Sequence, residues 1–173
     1  MSTHGTAAGA REKAALQPYS LAAGEGDARW VLGELDAIKA TAQHTAGTFG
    51  VKESRAPKGS GPPLHVHEHE DEACYVLEGE VTFLVGDNVV PASRGAFVYL
   101  PRRVPHSLRV ESDQATTLWL VVPGEFVSFF ADTFPAVNQN GDPASAPPSL
   151  EQMTEAAARY GVTILGPPLG SSS

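Results

Sequence analysis

Cysteine, long apolar runs and clustered basic residues are scarce in this sequence, and each scarcity excludes a class of structure or partner. Cys74 is the only cysteine among 173 residues, so no disulfide can form within the chain. No stretch approaches the roughly 18 consecutive apolar residues of a membrane span, and residues 1–17 lack the apolar core of a secretory signal. We therefore expect a cytoplasmic protein with no membrane partner.

The charge balance is acidic. Lys and Arg total 12 and Asp and Glu total 20, so the formal net charge is −8, and no Lys- or Arg-rich block occurs. Because an acidic surface repels polyanions, this balance predicts that the protein has no nucleic-acid partner. Hydrophobic residues make up 42% of the chain, which is enough for the core of one domain.

The order of strand-forming and turn-forming residues predicts an all-β fold. Runs rich in Val, Phe, Tyr, Trp and Thr alternate with short turns that contain Gly, Pro or Asn. The predicted strands are 28–41, 48–54, 72–77, 81–85, 96–100, 107–110 and 116–122, and the Gly86-Asp87-Asn88 segment is typical of a hairpin turn. Short strands at this spacing favour a sandwich or a barrel.

After Pro123 the pattern becomes helical. Phe126, Phe129 and Phe130 have the i, i+3, i+4 spacing of a helical face that could cap one mouth of a barrel. Residues 150–160 predict a helix with Ser149 as N-cap and Gly161 as C-cap. The predicted organisation is a disordered tail (1–17), a β-barrel domain (18–133), a linker (134–149), a C-terminal helix with a closing extended segment (150–166) and a second tail (167–173).

The segment 59–79 carries residues that suit a metal site. His65 and His67 are two positions apart, so both imidazoles lie on one face if they are on a strand. Glu72 follows after an acidic turn, and His106 comes on a later strand. If neighbouring strands direct these four side chains inward, they form a site for one divalent transition metal ion, namely Fe, Mn, Ni, Co, Cu or Zn. Open coordination positions would then make the site catalytic.

The same residues resemble the two sequence motifs of the cupin superfamily. The first motif, G-x5-H-x-H-x4-E-x6-G, is matched at every fixed position by Gly59, His65, His67, Glu72 and Gly79. The second motif, G-x5-P-x-G-x2-H-x3-N, is matched by Gly95, Pro101 and His106, whereas Arg103 replaces its second glycine and Val110 its asparagine. Over about residues 19–130 the chain is similar to small single-domain cupins of the quercetin-dioxygenase-like type. The resemblance implies a six-stranded jelly-roll barrel with His65, His67, Glu72 and His106 as metal ligands.

This reading predicts a metal-dependent dioxygenase that acts on an aromatic or enolisable small molecule and O2. The metal ion would bind a substrate oxygen, and Glu72 would remove the substrate's proton as the catalytic base. Two other functions stay open: a non-oxidative isomerase, cyclase or decarboxylase that uses the same Lewis acid and base, and a non-catalytic ligand-binding protein.

Several side chains are candidates for the substrate pocket. Strand alternation from Glu72 places Cys74 on the metal-facing side, and Leu108 follows His106 on the same face. The predicted substrate-binding residues are Phe49, Cys74, Phe83, Leu108 and Phe126, with Trp119 and Phe97 as further candidate walls. Because small jelly rolls expose sheet edges, we also expect a homodimer, in which segment 19–41 could pair across the interface.

Overall fold

The computed structural model describes residues 16–170, and strands predominate over this range. Two antiparallel sheets are present. The six-stranded sheet contains, in spatial order, β1 (Asp27–Val31), β2 (Glu34–Ala40), β3 (Gly50–Pro57), β10 (Gln114–Val122), β5 (Asp71–Glu78) and β8 (Phe97–Leu100). The five-stranded sheet contains β11 (Val162–Pro168), β4 (Pro63–His67), β9 (His106–Val110), β6 (Glu80–Val85) and β7 (Asn88–Ser93). The helices are α1 (Ala42–Thr45), α2 (Val127–Thr133) and α3 (Leu150–Arg159), and a 3-10 turn over Gly124–Phe126 precedes α2.

The two sheets pack face to face because each strand alternates buried and exposed side chains. Strand β10 shows the period of two clearly, with Ala115, Thr117, Trp119 and Val121 buried. A core cluster joins both sheets, since it includes Cys74 and Val76 of β5 together with residues of β6 and β9. The inner faces of the two sheets therefore enclose the space in which a site can form.

The helices cover a second core cluster. Phe126, Phe129 and Phe130 are all buried, as their helical spacing predicts, and they pack with Met153 and neighbouring residues of α3. The predicted N-cap of α3 is confirmed, because the Ser149 hydroxyl accepts a hydrogen bond from the Gln152 backbone N–H at 3.2 Å and the Gln152 side chain accepts one from the Ser149 N–H. At the other end the helix stops at Arg159 with Tyr160 as C-cap, one residue before the predicted Gly161. These helices close one side of the space between the sheets.

The predicted all-β class with a short C-terminal helix is confirmed, but the strand count and closure differ from expectation. The described residues form eleven strands rather than six, and the sheets are not joined into a closed barrel, because β1, β8, β11 and β7 each pair on one side only. The run predicted as one strand over 28–41 is a hairpin. Its two turn residues, Leu32 and Gly33, have φ of 52° and 87°. Such turns usually carry Asn or Asp before the glycine, so a turn with leucine at that position is difficult to predict from the sequence.

The predicted tails fall partly outside the described residues, and the closing strand is longer than predicted. Of the predicted N-terminal tail, residues 1–15 lie outside the described range, as do residues 171–173 of the second tail. Strand β11 continues to Pro168, two residues beyond the predicted end of the closing segment. Residues 134–149 contain no helix or named strand, although isolated bridges join Ala136 to Arg29 and Val137 to Pro143. Among residues 16–170, no helix is long and apolar enough to cross a bilayer.

Candidate metal centre and its cavity

Three strands and both sheets contribute the four residues of the candidate metal centre. His65 of β4 lies opposite His106 of β9 in the five-stranded sheet, and His67 points to the same face two residues further along β4. Glu72 of β5 reaches the centre from the six-stranded sheet. One ligand atom from each of the four side chains lies within 4.8 Å of all the others. The structure therefore brings together the four residues predicted as metal ligands.

The loop before β4 makes the pairing of His65 with His106 possible. A Cβ atom on Gly61 would lie only 1.9 Å from the backbone carbonyl oxygen of Leu108, a distance that no side chain tolerates. Glycine at this position lets the loop lie directly against β9. The Ser107 hydroxyl also donates a hydrogen bond to the Pro62 carbonyl at 2.8 Å, which ties the same two segments together.

Two of the three imidazoles are oriented by backbone carbonyl oxygens on their outer sides. The Nδ1 atom of His65 lies 2.8 Å from the Pro63 carbonyl oxygen, and that of His106 lies 3.0 Å from the Val104 carbonyl oxygen. Because a carbonyl only accepts, each Nδ1 carries the proton and each Nε2 keeps its lone pair for the centre. His106 Nε2 lies 3.2 Å and His67 Nε2 lies 3.6 Å from the same Glu72 oxygen, Oε2.

The electrostatics of the cluster favour neutral imidazole at His65 and ionised carboxylate at Glu72. Burial and the neighbouring His106 lower the pKa of His65 to about 4. Burial by itself raises the pKa of Glu72, but its interactions with His67 and His106 outweigh this effect, and the pKa lies well below its usual range. Burial likewise opposes protonation of His67, but Glu72 and Glu70 prevail and raise its pKa. Neutral imidazole and ionised carboxylate are the forms that bind a metal ion.

The residues fit a metal ion. The His67 side chain is completely shielded from solvent, so water cannot reach its ring nitrogens from outside. Both nitrogens nevertheless have no hydrogen-bond partner among the described residues. Buried polar atoms are almost always satisfied, so His67 Nε2 needs a further partner at the point where the four ligand atoms converge. Three imidazole nitrogens and one carboxylate oxygen suit a divalent transition metal ion.

Glu70 has a position that the sequence did not reveal. Glu70 belongs to the acidic turn before Glu72, but it is only 4% exposed and its Oε2 atom lies 3.4 Å from His67 Nδ1. Carboxylates in this place orient the ligand histidine and raise its basicity. No sequence pattern distinguishes Glu70 from the exposed Glu68 two residues earlier; only the folded turn does.

A cavity of about 120 Å³ begins at the centre and extends between the sheets. Its wall includes His65, Glu72 and His106, and most of its other lining residues are apolar. Leu108, Phe126 and Trp119, which were predicted to line a pocket, all line this cavity. Phe126 also packs edge-on against His67, with ring centroids 4.4 Å apart. The centre therefore opens into a largely apolar space.

Three of the predicted substrate-binding residues lie elsewhere. Phe49 precedes β3, is 38% exposed and does not line the cavity, because the inward positions of this strand are occupied by Gly50, Lys52 and Ser54. Cys74 and Phe83 face inward but are fully enclosed in the core between the sheets and do not reach the cavity wall. Burial raises the pKa of the Cys74 thiol to about 12, so this thiol is not a reactive group. Phe97, a further candidate wall, is 65% exposed.

The departure of Arg103 from the second motif leaves the turn intact. Arg103 adopts φ of 64°, the left-handed conformation that glycine takes most easily, and its backbone N–H donates a 2.8 Å hydrogen bond to the His67 carbonyl oxygen. Its side chain extends into solvent and pairs with Glu68 at 2.7 Å. The turn therefore still supports the end of β4, where His67 lies.

Comparison with known proteins supports the resemblance. Residues 53–123 match the family model of the cupin domain, the family whose two motifs this segment resembles. Among solved structures, an RmlC-like cupin from Shewanella frigidimarina has a TM-score of 0.54 at 16% identity, covering 62% of this chain and 91% of that one. A predicted oxalate decarboxylase from Thermotoga maritima has a TM-score of 0.50 at 23% identity, covering 52% and 80%. These structural likenesses confirm the jelly-roll fold.

Two curated proteins are related in sequence. Quercetin 2,3-dioxygenase of Bacillus subtilis is 35% identical over 113 residues, which are 65% of this chain and 34% of that enzyme. An uncharacterized protein of Methanocaldococcus jannaschii, MJ1618, is 33% identical over 63 residues, which are 34% of this chain and 50% of that protein. The match thus spans between a third and a half of the length of these curated relatives.

Proposed function

We propose that this protein is a metal-dependent oxidoreductase, a dioxygenase that acts on an aromatic or enolisable small molecule and O2. The observation that carries the proposal is the convergence of Glu72 and three imidazoles within 4.8 Å, on the wall of a largely apolar cavity. The likeness to a quercetin 2,3-dioxygenase over 65% of the chain supports the same reaction class.

His65, His67, Glu72 and His106 would hold one divalent ion, chosen from Fe, Mn, Ni, Co, Cu and Zn. When bound, the ion would act as a Lewis acid that stabilises negative charge on an enol or phenol oxygen. The carbonyl groups of Pro63 and Val104 keep two of the imidazoles turned toward this point, and Glu70 does so for His67.

Glu72 would be the proton acceptor. Its carboxylate is 6% exposed, lies on the cavity wall and is ionised at neutral pH, so it can take the hydroxyl proton of a substrate within hydrogen-bond reach. Leu108, Phe126 and Trp119 exclude water around the bound molecule, which protects an electron-rich anion from protonation and leaves it to react with O2.

The first test measures metal content. His67→Ala and His106→Ala should lower stoichiometric metal binding to near zero while the fold survives, and His69→Ala, which alters an exposed histidine on the neighbouring turn, should leave it unchanged. Metal analysis of the purified, reconstituted proteins gives the answer. Full metal content in both ligand variants would disprove the ligand assignment.

The second test separates the possible reactions. Metal-loaded protein is incubated with flavonols and other aromatic enols in an oxygen electrode, and again without oxygen. Oxygen uptake that Glu72→Gln lowers more strongly than it lowers metal content supports the dioxygenase. Turnover that persists without oxygen would instead indicate a non-oxidative isomerase, cyclase or decarboxylase, and tight binding without conversion would indicate a ligand-binding cupin.

The expected homodimer remains part of the proposal. The outer face of β5, β8 and β10 exposes Tyr75, Phe97, Tyr99 and Leu120, with Phe97 at 65% and Tyr99 at 53%. A second copy of the chain would cover these apolar side chains, and the edge strand β1 offers the pairing predicted for segment 19–41. Light scattering at micromolar concentration measures the mass, and a monomer would contradict the proposal.

A further inference from the structure

The inner face of the six-stranded sheet carries a group of polar side chains away from the candidate metal centre. Asp36 of β2 lies opposite Ser54 of β3, which in turn lies opposite Thr117 of β10, and Lys52 occupies the next inward position of β3. Asp36 is 0%, Ser54 3%, Thr117 6% and Lys52 7% exposed. Polar groups buried on a core-facing sheet surface cost free energy, so their presence calls for a reason.

Hydrogen bonds fix the Lys52 ammonium group in one position. Lys52 Nζ donates to Asp36 Oδ2 at 2.8 Å and to Ser54 Oγ at 2.7 Å, and the Ser54 hydroxyl donates to Asp36 Oδ1 at 2.5 Å. An ammonium group has three donors, and the third remains beside the Phe130 ring, whose centroid lies 4.4 Å from Nζ. Lys52 and Ser54 line the cavity, whereas Asp36 lies behind them.

The same cavity reaches the candidate metal centre. Lys52 is paired with Trp119, Trp119 is paired with Cys74, and Glu72 lies two residues from Cys74 on β5. Two strand-to-strand steps and two residues along a strand separate the backbones of Lys52 and Glu72 by roughly 12 Å. Because both side chains line the same cavity, a substrate that spans this distance would contact both.

We propose that Lys52 and Ser54 form a second polar subsite, which binds a neutral hydroxyl or carbonyl oxygen at the end of the substrate remote from the metal centre. Asp36 acts as a positioning residue for Lys52. The inference rests on the proposed function, since it assigns the remote half of the same substrate.

The neighbouring charges decide which oxygen group the subsite accepts. Asp36 already neutralises Lys52, and the two side chains form an ion pair at 2.8 Å. A substrate carboxylate would therefore find no uncompensated positive charge, and Asp36 would repel it because like charges at short range repel each other. A neutral hydroxyl or carbonyl oxygen can accept a hydrogen bond from the third Lys52 N–H without this charge repulsion. Such a hydrogen bond from a charged group is stronger than one between neutral groups.

Ligand binding tests the subsite without requiring turnover. Three probes are compared: a flavonol without ring hydroxyls, the same flavonol with one hydroxyl on the aryl ring, and the same flavonol with a carboxylate there. Quenching of Trp119, which lines the cavity, reports binding in a Trp30→Phe background, with metal-free and with zinc-loaded protein. The key variant is the double substitution Asp36→Asn/Lys52→Met, which removes both charges and leaves none buried alone.

We expect the wild-type site to bind the hydroxylated probe about tenfold more tightly than the other two, because one charged hydrogen bond is gained. The double variant should lose this preference and keep its affinity for the unsubstituted probe. Lys39→Met is the matched control, since Lys39 also pairs with a carboxylate, Glu53 at 3.0 Å, but does not line the cavity. It should keep the preference.

Equal loss of affinity for all three probes in the double variant would overturn the subsite, because Lys52 would then only shape the cavity. Absence of any preference in the wild-type protein, or failure to bind any of the probes, would overturn it as well. Failure of the dioxygenase proposal gives a different result from failure of the subsite. The preference for the hydroxylated probe then persists in metal-free protein, but no metal supports oxygen uptake with the bound flavonol.

Discussion

The buried Lys52–Asp36 ion pair should couple two positions strongly in a stability measurement. Asp36 is 0% and Lys52 7% exposed, and their charged atoms are 2.8 Å apart. Lys52→Met leaves a buried carboxylate whose cationic partner is gone, and Asp36→Asn leaves a buried ammonium without its carboxylate. Each single substitution should lower the free energy of unfolding by about 3–5 kcal/mol. For a domain of this size that corresponds to a fall in melting temperature of roughly 10 °C.

The double variant should lose far less stability than the two single variants lose together. It buries no charge, and methionine fills much of the lysine's volume against the Phe130 ring, so we expect a total loss of about 1–2 kcal/mol. The interaction energy of the cycle is then about 4 kcal/mol or more. Urea unfolding followed by tryptophan fluorescence and far-ultraviolet circular dichroism measures all four proteins, and their m-values should agree.

A cycle on the surface pair Arg102–Asp71 provides the control. These side chains are 45% and 27% exposed, so solvent screens their attraction and their coupling should be several times smaller. Additive losses in the Lys52–Asp36 cycle would refute the reasoning, since the two charges would then contribute independently to stability. A loss below 1 kcal/mol for Lys52→Met would refute it too.

Three further predictions concern single residues. Burial and the Asp36 charge raise the pKa of Glu34 from 4.5 to about 7, so the folded state holds a proton that the unfolded state has lost. Wild-type stability should therefore fall between pH 5 and pH 8 by up to about 3 kcal/mol more than that of Glu34→Gln, and parallel curves from urea unfolding would contradict the raised pKa of Glu34. Arg103→Gly should be about 1 kcal/mol more stable than Arg103→Ala, because both lose the side chain and only glycine relieves the left-handed backbone; equal melting temperatures would exclude strain at this turn. Glu70→Gln should weaken metal binding about tenfold in a chelator competition, whereas Glu68→Gln on the exposed side of the same turn should not, and equal affinities would show that Glu70 does not orient His67.

The residues of the candidate metal centre were predictable because they are close in sequence and obey a strand period. His65 and His67 share a face on any strand, so local geometry brings these two together, whereas Glu72 reaches them from the other sheet and depends on how the two sheets pack. The approach of His106 depends on strand order, which the spacing of the second motif implied but did not demonstrate. The lining of the cavity was less predictable: Phe49 was expected inside because it is aromatic, yet β3 begins at Gly50 and directs Lys52 inward.

The amino-acid sequence by itself determined the all-β class, the helix that begins after Ser149, and the four residues suited to a metal ion. These features depend on local periodicity, capping and residue chemistry, which act over a few neighbouring positions. Only the tertiary structure decided that Glu70 is buried beside His67 and that Lys52, paired with Asp36, lines the cavity. These relations depend on the register between strands distant in sequence, where a shift of one residue would have turned Lys52 to solvent and Val51 to the core.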